Sequence, residues 1–259
     1  HLARVPGVRN GLRQTWAAVR HRRSQSLVLV VVSALVTTCA VFAPLFVRTL
    51  EQGLLQAGLQ QRDVADTTVV VRAARTAQDP ALSPDDLRAV MPEEATRWFD
   101  DGVGMTTADT RVTPRDGMQT SPLRLVARQG SCEHVEIVSG SCPTAPGDVL
   151  VSAADATAWG WAEGSTFEVA DSSAFPATPS DAVAPVALEV TGVYRVVPDP
   201  TYWLRTVVDG KSGFLIAEGT NTVAAIDDFL TAQATFDTGW SQAATSVEFP
   251  LDRDTVTLA

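Results

Sequence analysis

The sequence predicts an α+β fold, in which an N-terminal transmembrane helix with a helical stalk is followed by an extracytoplasmic, mixed α/β core domain. Three observations lead to this prediction. A long uncharged apolar run lies near the N-terminus of the 259-residue chain, all of the N-terminal arginines precede that run, and short strand-like and helix-like segments alternate after it. Interleaved short strands and helices are typical of α+β domains.

The apolar run is long enough to cross a bilayer. No charged residue occurs from Ser24 to Val47, and Arg23 and Arg48 bracket the run. As a helix, these 24 residues would span about 36 Å, which exceeds the ~30 Å hydrocarbon core of a membrane. The apolar region of a cleaved signal is only about 7–15 residues long. Segment 24–47 is therefore predicted to be a transmembrane helix that is retained.

Two export signals are alternative interpretations of the same run. Arg22 and Arg23 could belong to a twin-arginine signal, but the residues that follow fit that pattern poorly. Cys39 could be the lipidated residue of a lipoprotein signal, although Thr38 is bulkier than the residue usual before such a cysteine. The favoured interpretation of Cys39 is a small apolar residue inside the helix.

The charge distribution predicts the orientation. Residues 1–25 contain six arginines and no acid, which leaves 14 basic and 30 acidic residues in 26–259, a net charge of −16. Positive residues stay in the cytoplasm, so the chain is predicted to lie in the cell membrane with its N-terminus cytoplasmic and residues after about 48 extracytoplasmic. The basic arm suits anionic membrane lipids, whereas the acidic body argues against a nucleic-acid partner.

The basic arm also has helical periodicity. Four apolar residues recur at spacings of four, four and three, which places them on one face of a helix. Segment 1–23 is therefore predicted to be a cytoplasmic, basic amphipathic helix on the membrane surface. A simple topogenic basic stretch is the alternative. The predicted coupling and membrane-surface residues are Val8, Leu12, Trp16, Val19, Arg20, Arg22 and Arg23.

The helix is predicted to leave the membrane as a stalk over 48–65, because leucines recur at helical spacing in this segment. The core domain is then predicted over 66–259, and the strand-like segment at its end has no closing element, so a longer chain could continue it. Two capping boxes, Ser83–Asp86 and Ser152–Asp155, predict short helices, the second ending at Gly160.

The remaining elements of the core domain are predicted from alternation and turn residues. Asp209-Gly210 is expected to form the turn of a hairpin. Strands are predicted over 66–73, 103–113, 123–128, 148–152, 166–170, 188–197, 206–208, 213–217 and 246–251, and a helix over 222–236.

Two cysteines, Cys132 and Cys142, lie close together in a loop-like segment of the exported part. Outside the cytoplasm such thiols usually pair, so a disulfide is predicted. A metal site that includes His134 is the alternative, and it would need a further ligand from elsewhere in the chain.

Catalytic motifs are absent from this sequence. It contains no G-x-S-x-G, no H-E-x-x-H and no EF-hand loop. Gly210-Lys211-Ser212 resembles the end of a phosphate loop, but position 205 is Arg where that loop needs Gly. No catalytic, cofactor-binding or metal-binding residue is predicted, and the chain is not expected to be an enzyme.

Several conspicuous side chains have a structural interpretation. Asp100-Asp101 and Asp227-Asp228 could do acid–base work, but neighbours in sequence do not face one site, and the favoured interpretation is solvated surface. Four aromatic residues could line an apolar surface, although core packing is the more common role. These are Trp159, Trp161, Tyr202 and Trp203.

A set of motifs resembles a known family. PGDVLVS (146–152), an Ala-rich helix to 161, EGSTFEV (163–169) and LEVTGVY (188–194) follow one another. This succession resembles the extracytoplasmic core of MacB/FtsX-type ABC transporter permeases, in particular those of high-GC Gram-positive bacteria. The order of amphipathic helix, first span, stalk and core is also similar. The matching turn glycines are Gly147, Gly160, Gly164 and Gly192.

The resemblance implies a non-catalytic permease subunit without cofactors of its own. ATP and Mg would bind to a cytoplasmic ABC ATPase, whose hydrolysis moves the MacB-like periplasmic core domain for export, lipid or lipoprotein handling, or transmembrane signalling. The implied partners are that ATPase, a second permease copy or half, membrane lipids and an extracytoplasmic protein.

The sequence departs from the family in one respect. Such permeases have further spans after the core, typically three, and no second apolar run occurs before Ala259. The chain is therefore expected to be either the N-terminal part of a longer permease or a single-span relative. Two alternatives to a permease also stay open, namely a single-span, membrane-anchored binding or adaptor protein, and a secreted or lipidated enzyme with an unrecognised site.

Overall fold

A computed structural model of the chain describes residues 23–74, 82–171, 185–206, 208–218, 221–237, 240 and 243–256. It confirms the predicted α+β class, because one long apolar helix precedes a mixed α/β domain. The chain divides into two compact units, the helix up to Gly58 and the domain Leu59–Val256.

The first unit is built on helix α1, Arg23–Gln60, which has 38 residues. Pro44 lies inside α1 without ending it. The hydroxyls of Thr37 and Thr38 donate to the carbonyls four residues earlier, at 2.6 and 2.7 Å, which satisfies these polar groups within the apolar segment. Because α1 continues through the membrane–stalk boundary predicted at 47/48, that boundary stays a prediction.

The second unit contains eleven described strands and four short described α-helices. The strands are β1 Thr68–Ala74, β2 Val103–Val112, β3 Ser121–Arg128, β4 Val135–Gly140, β5 Asp148–Ser152, β6 Thr166–Asp171, β7 Val186–Val196, β8 Phe214–Glu218, β9 Asn221–Ala225, β10 Phe229–Thr231 and β11 Ala243–Pro250. The helices are α2 Pro84–Arg88, α3 Glu93–Thr96, α4 Ala153–Trp159 and α5 Pro200–Trp203, and 3-10 turns occur at Ala65–Thr67, Ser131–Glu133 and Gln233–Phe236.

Nine of these strands form one mixed sheet in the order β1-β11-β2-β3-β10-β5-β7-β4, with β6 paired to β2 and β7. The pairs β3–β10 and β5–β7 are parallel, and the other pairs in the sheet are antiparallel. Strands β8 and β9 form a separate antiparallel hairpin. The three residues of β10 are all buried, because β10 lies between β3 and β5 near the centre of the sheet.

The first and last strands of the domain are neighbours. Strand β1 pairs antiparallel with β11, so that Thr68 lies opposite Pro250. Just outside the strands, the amide of Leu251 donates to the carbonyl of Thr67 at 3.2 Å. Nη2 of Arg253 donates to Oγ1 of Thr67 at 3.1 Å. The point where the chain enters the domain is therefore fastened to the point where β11 ends.

The core packs on both faces of the sheet. One cluster surrounds Leu125, Val149 and Phe229, and a second surrounds Tyr194 and Leu230. The predicted core role of the aromatic residues is confirmed for Trp161, Tyr202 and Trp203, which are buried, and Trp159 packs half-buried against the first cluster.

Both predicted helix starts are confirmed. Ser83 and Asp86 cap each other's backbone amides at the start of α2. Oγ of Ser152 accepts the amide of Asp155 at 3.1 Å at the start of α4. Gly160 ends α4 in the left-handed conformation, with φ 75°, which glycine adopts without a steric penalty.

Two predicted elements are wrong. Segment 222–236 is not a helix but contains β9, β10 and a 3-10 turn. Its apolar residues are spaced as in a helix because the buried strand β10 is apolar at consecutive positions, a pattern that periodicity does not separate from a helix. The hairpin also differs, since β8 pairs with β9 rather than with a strand at 206–208, and Asp209-Gly210 lies outside strands.

Candidate functional site

The surface of α1 is the first candidate site. Within the described residues, the stretch Leu27–Gln60 is long and apolar, and its most apolar part is not buried. Leu29, Phe42 and Phe46 are each more than half exposed. By length and composition this helix can cross a membrane, because lipid can cover an apolar surface that the chain leaves open.

The predicted amphipathic helix lies outside the described residues. This applies to Val8, Leu12, Trp16, Val19, Arg20 and Arg22, whereas Arg23 is the first residue of α1. The roles of these residues stay predictions.

The predicted disulfide is present. Cys132 and Cys142 are bonded, with 6.1 Å between their Cα atoms, and the bridge joins the 3-10 turn before β4 to the segment after it. The alternative metal site is wrong, because both thiols form the disulfide and His134 contacts Tyr202 and Asp199 instead. The His134 ring stacks on Tyr202 with 3.6 Å between centroids, and its Nδ1 lies 2.9 Å from Oδ2 of Asp199. No group of three or more metal-ligating side chains occurs in the described residues.

Removing this disulfide with the double substitution Cys132→Ser and Cys142→Ser is expected to lower the free energy of unfolding by about 2–3 kcal/mol, because the small loop gains conformational freedom when the chain unfolds. Urea denaturation of the full chain in detergent, followed by tryptophan fluorescence, measures this change. The control is Cys39→Ser in α1, which leaves the bridge intact. Two alkylatable thiols at 132 and 142 in the unreduced wild-type chain would contradict the assignment.

The predicted turn glycines have backbone roles around α4 and β7. Gly147, Gly160 and Gly164 all have positive φ. At Gly192 the reason is space, since a Cβ there would lie 2.7 Å from the carbonyl oxygen of Ser139 in the neighbouring strand β4.

A buried ion pair between Arg128 and Glu248 connects β3 with β11. Their side chains are 0% and 4% exposed, and Nη1 of Arg128 lies 2.9 Å from Oε2 of Glu248. Nη1 also donates to Oγ1 of Thr206 at 3.1 Å, and Nη2 donates to the carbonyl of Tyr202. Sequence analysis missed this pair. The only signal is one charged residue inside each of two otherwise apolar segments, VAR and VEF.

The segment that Arg128 holds contains a strained residue. Among the described residues, Leu204 is the one non-glycine residue with positive φ, at φ 48° and ψ −111°. Such a conformation costs on the order of 1–3 kcal/mol and persists where the surroundings enforce it. Here the surroundings are the bonds from Arg128 to Tyr202 and Thr206, on either side of Leu204.

A second buried polar cluster fastens the β8–β9 hairpin to α4. Asp155 is 0% exposed, and its Oδ2 accepts the amide of Asp227 at 2.8 Å while its Oδ1 accepts Nε1 of Trp159 at 3.1 Å. The carboxylate of Asp227 accepts the amide of Ser212 at 3.2 Å. The two carboxylates thus fix the backbone on both sides of the hairpin.

Burial dominates the electrostatics of this cluster. Desolvation raises the pKa of Asp155 to about 7, and the nearby charge of Asp227 adds to the effect. Burial also raises the pKa of Asp228, although its ion pair with Arg124 opposes the shift. The predicted surface position of Asp227-Asp228 is wrong, because Asp227 is 6% exposed and Asp228 is paired. Asp100 and Asp101 are exposed, as predicted.

A cleft of about 480 Å³ lies beside the disulfide. Its walls come from the end of β3, the 3-10 turn that carries Cys132, and the segment after β10. The bridge therefore shapes one wall of this cleft.

Comparisons with known proteins leave the family open. No protein-family model matches the chain, and no curated protein matches it. Among solved structures, the chain is similar to "a domain of a putative Permease protein from Porphyromonas gingivalis", with 13% identity and a TM-score of 0.32 over 75% of this chain and 78% of that one. At this identity and TM-score, the likeness does not assign the chain to a family. The long apolar helix α1 and the sheet that follows it show the class of the chain. It has a candidate membrane span and a mixed α/β domain.

Proposed function

We propose that this chain is the permease subunit of an ABC transporter of the MacB/FtsX type. It couples ATP hydrolysis by a cytoplasmic partner to movement of its extracytoplasmic domain, for export, lipid or lipoprotein handling, or transmembrane signalling. The observation that supports the proposal most directly is the continuity of α1, which runs from the apolar run to Gln60 as one helix.

The length of α1 exceeds what a membrane span requires. Its 38 residues extend for about 57 Å, whereas the hydrocarbon core is ~30 Å thick, so about 27 Å of helix remains beyond it. A helix transmits a displacement along its axis better than a flexible linker does. Residues 61–67 then connect α1 to β1, so a movement of the span reaches the first strand of the domain.

The chemistry of hydrolysis belongs to the partner in this proposal. Arg205 stands where a phosphate loop ending at Gly210-Lys211-Ser212 needs a glycine. In this proposal ATP and Mg bind to a cytoplasmic ABC ATPase, which the predicted basic helix over 1–23 contacts at the membrane surface. A second permease copy or half completes the complex, and the chain lies in the cell membrane with its N-terminus cytoplasmic.

Co-purification with native ATPases tests the proposal. The wild-type chain is expected to retain an ABC ATPase, and the double substitution Leu12→Asp and Trp16→Asp is expected to lose it, because two charges on the apolar face abolish that contact. The matched control is Asn10→Asp with Gln14→Asp, which adds the same charge to the opposite helix face. A wild-type complex without any ATPase would contradict the proposal and favour a membrane-anchored binding or adaptor protein.

A further inference from the structure

Three arginines border one groove on a face of the large sheet, which we call the arginine groove. It has a volume of about 360 Å³. Neighbouring strands form its floor, since Arg72 of β1 lies opposite Ser246 of β11, and Ser246 lies opposite Met105 of β2. The residues that line it are Val70, Arg72, Met105, Thr107, Arg124, Arg205, Thr206, Ser246 and Glu248.

The arginine groove is positively charged although the domain is acidic. Glu248 is neutralised by buried Arg128, and Arg124 is paired with Asp228. Arg72 and Arg205 are exposed, and no acidic side chain in the described part of the chain pairs with either of them. Two uncompensated positive charges therefore meet in one concave surface, against a net charge of −16 for residues 26–259. Such a concentration of positive charge attracts anions.

Two hydroxyl groups add hydrogen-bond donors to this charge. Ser246 is 5% exposed and Thr107 is half-buried, and both line the arginine groove. Within the described residues neither hydroxyl has a hydrogen-bond partner, so both can donate to a ligand. Guanidinium groups bind phosphate oxygens in pairs, and the additional hydroxyls match the larger number of oxygens that a phosphate offers compared with a carboxylate.

Arg205 lies in a segment that Arg128 anchors to the sheet. The strained Leu204 precedes it and Thr206 follows it. Arg128 holds this segment through the carbonyl of Tyr202 and the hydroxyl of Thr206. Because the carbonyl of Tyr202 and the side chain of Thr206 are held on either side of Arg205, less ordering is needed when a ligand binds. Arg128 is thus a positioning residue for Arg205.

We infer that the arginine groove binds a phosphate group, carried by a small soluble anion or by a lipid headgroup. Arg72 and Arg205 contact the phosphate directly, and Ser246 and Thr107 donate hydrogen bonds to it. The inference does not depend on the proposed ATPase partner, so either can fail without the other.

Titration calorimetry of the full chain in a maltoside detergent, which carries no phosphate, tests this site. The probes are inorganic phosphate, glycerol 3-phosphate and the short-chain lipid dihexanoyl phosphatidate. The double substitution Arg72→Gln and Arg205→Gln is expected to weaken binding at least tenfold, because two charge-assisted contacts are lost. Ser246→Ala is expected to weaken binding severalfold without changing the charge. The matched control, Arg97→Gln with Arg195→Gln, removes the same charge from exposed positions outside the groove and is expected to bind as wild type does.

The three probes distinguish the sources of the phosphate. Binding of the two soluble probes without the phosphatidate supports a soluble phosphate compound, and binding of the phosphatidate alone supports a lipid headgroup. The inference is overturned if no probe binds at millimolar concentration. It is also overturned if the groove variants bind every probe as tightly as the wild-type chain does.

Discussion

The substitution Arg128→Met is expected to lower the free energy of unfolding of the domain Leu59–Val256 by about 3–5 kcal/mol, because it leaves the buried carboxylate of Glu248 without a counter-charge. Glu248 is 3% exposed. Urea denaturation of the full chain in detergent, followed by tryptophan fluorescence, measures the change.

Two further variants separate the ion pair from a general effect of losing an arginine. Arg195→Met removes one member of an exposed ion pair with Glu136. This substitution should lower the free energy of unfolding by only about 0–1 kcal/mol. The double substitution Arg128→Met and Glu248→Met is expected to recover most of the lost stability, because apolar residues often replace a buried pair without loss. A change below about 1 kcal/mol for Arg128→Met would contradict the buried pair.

The double variant also tests the positioning role of Arg128. It restores apolar packing but lacks the bonds to Tyr202 and Thr206, so Arg205 is no longer held. Its phosphate affinity should therefore fall below that of the wild type, although its stability is close to that of the wild type. Unchanged phosphate affinity would show that Arg128 has only a structural role.

Asp155 is expected to make the stability of the domain depend on pH. Its pKa in the folded chain is about 7, above its ordinary value of 3.8. A folded-state pKa raised in this way favours the folded chain most below pH 3.8, and this advantage is lost as the pH rises through about 7. Since one pKa unit corresponds to ~1.4 kcal/mol, the wild type should gain up to about 4 kcal/mol over Asp155→Asn between pH 8 and pH 4.

Denaturation of both proteins at a series of pH values measures this difference. Other titrating groups are common to both chains and cancel in the comparison. Thr157→Ala is the control, because Thr157 is an exposed, uncharged residue of the same helix α4. Its difference from the wild type should be constant with pH. A constant difference for Asp155→Asn as well would contradict the raised pKa.

Local signals predicted much of this domain correctly. The pair Ser83–Asp86 and the residues Ser152 and Gly160 mark helix ends through hydrogen bonds and backbone conformation within a few residues, so the sequence contains the whole interaction. The disulfide was predictable because Cys132 and Cys142 are close in sequence as well as in space.

The sites that depend on distant contacts could not be predicted in this way. From the sequence, Asp227 is predicted to be a surface residue beside Asp228. Only the fold brings its backbone amide to the carboxylate of Asp155 on α4. Arg128 and Glu248 are separated by most of the domain in sequence. Strand β10 is central only because β3 and β5 cover its edges. In each case the decisive partner is set by sheet order, which periodicity does not encode.

The pairing of β1 with β11 has a consequence for how such a domain can be combined with other segments. Because Thr67 and Leu251 are hydrogen-bonded neighbours, the first and last segments of the domain lie side by side. A domain with adjoining ends can be inserted into a short loop of a host protein without forcing the flanking segments apart. The domain therefore has the geometry of an inserted domain, and its replacement by a short turn would leave the two flanking ends close together.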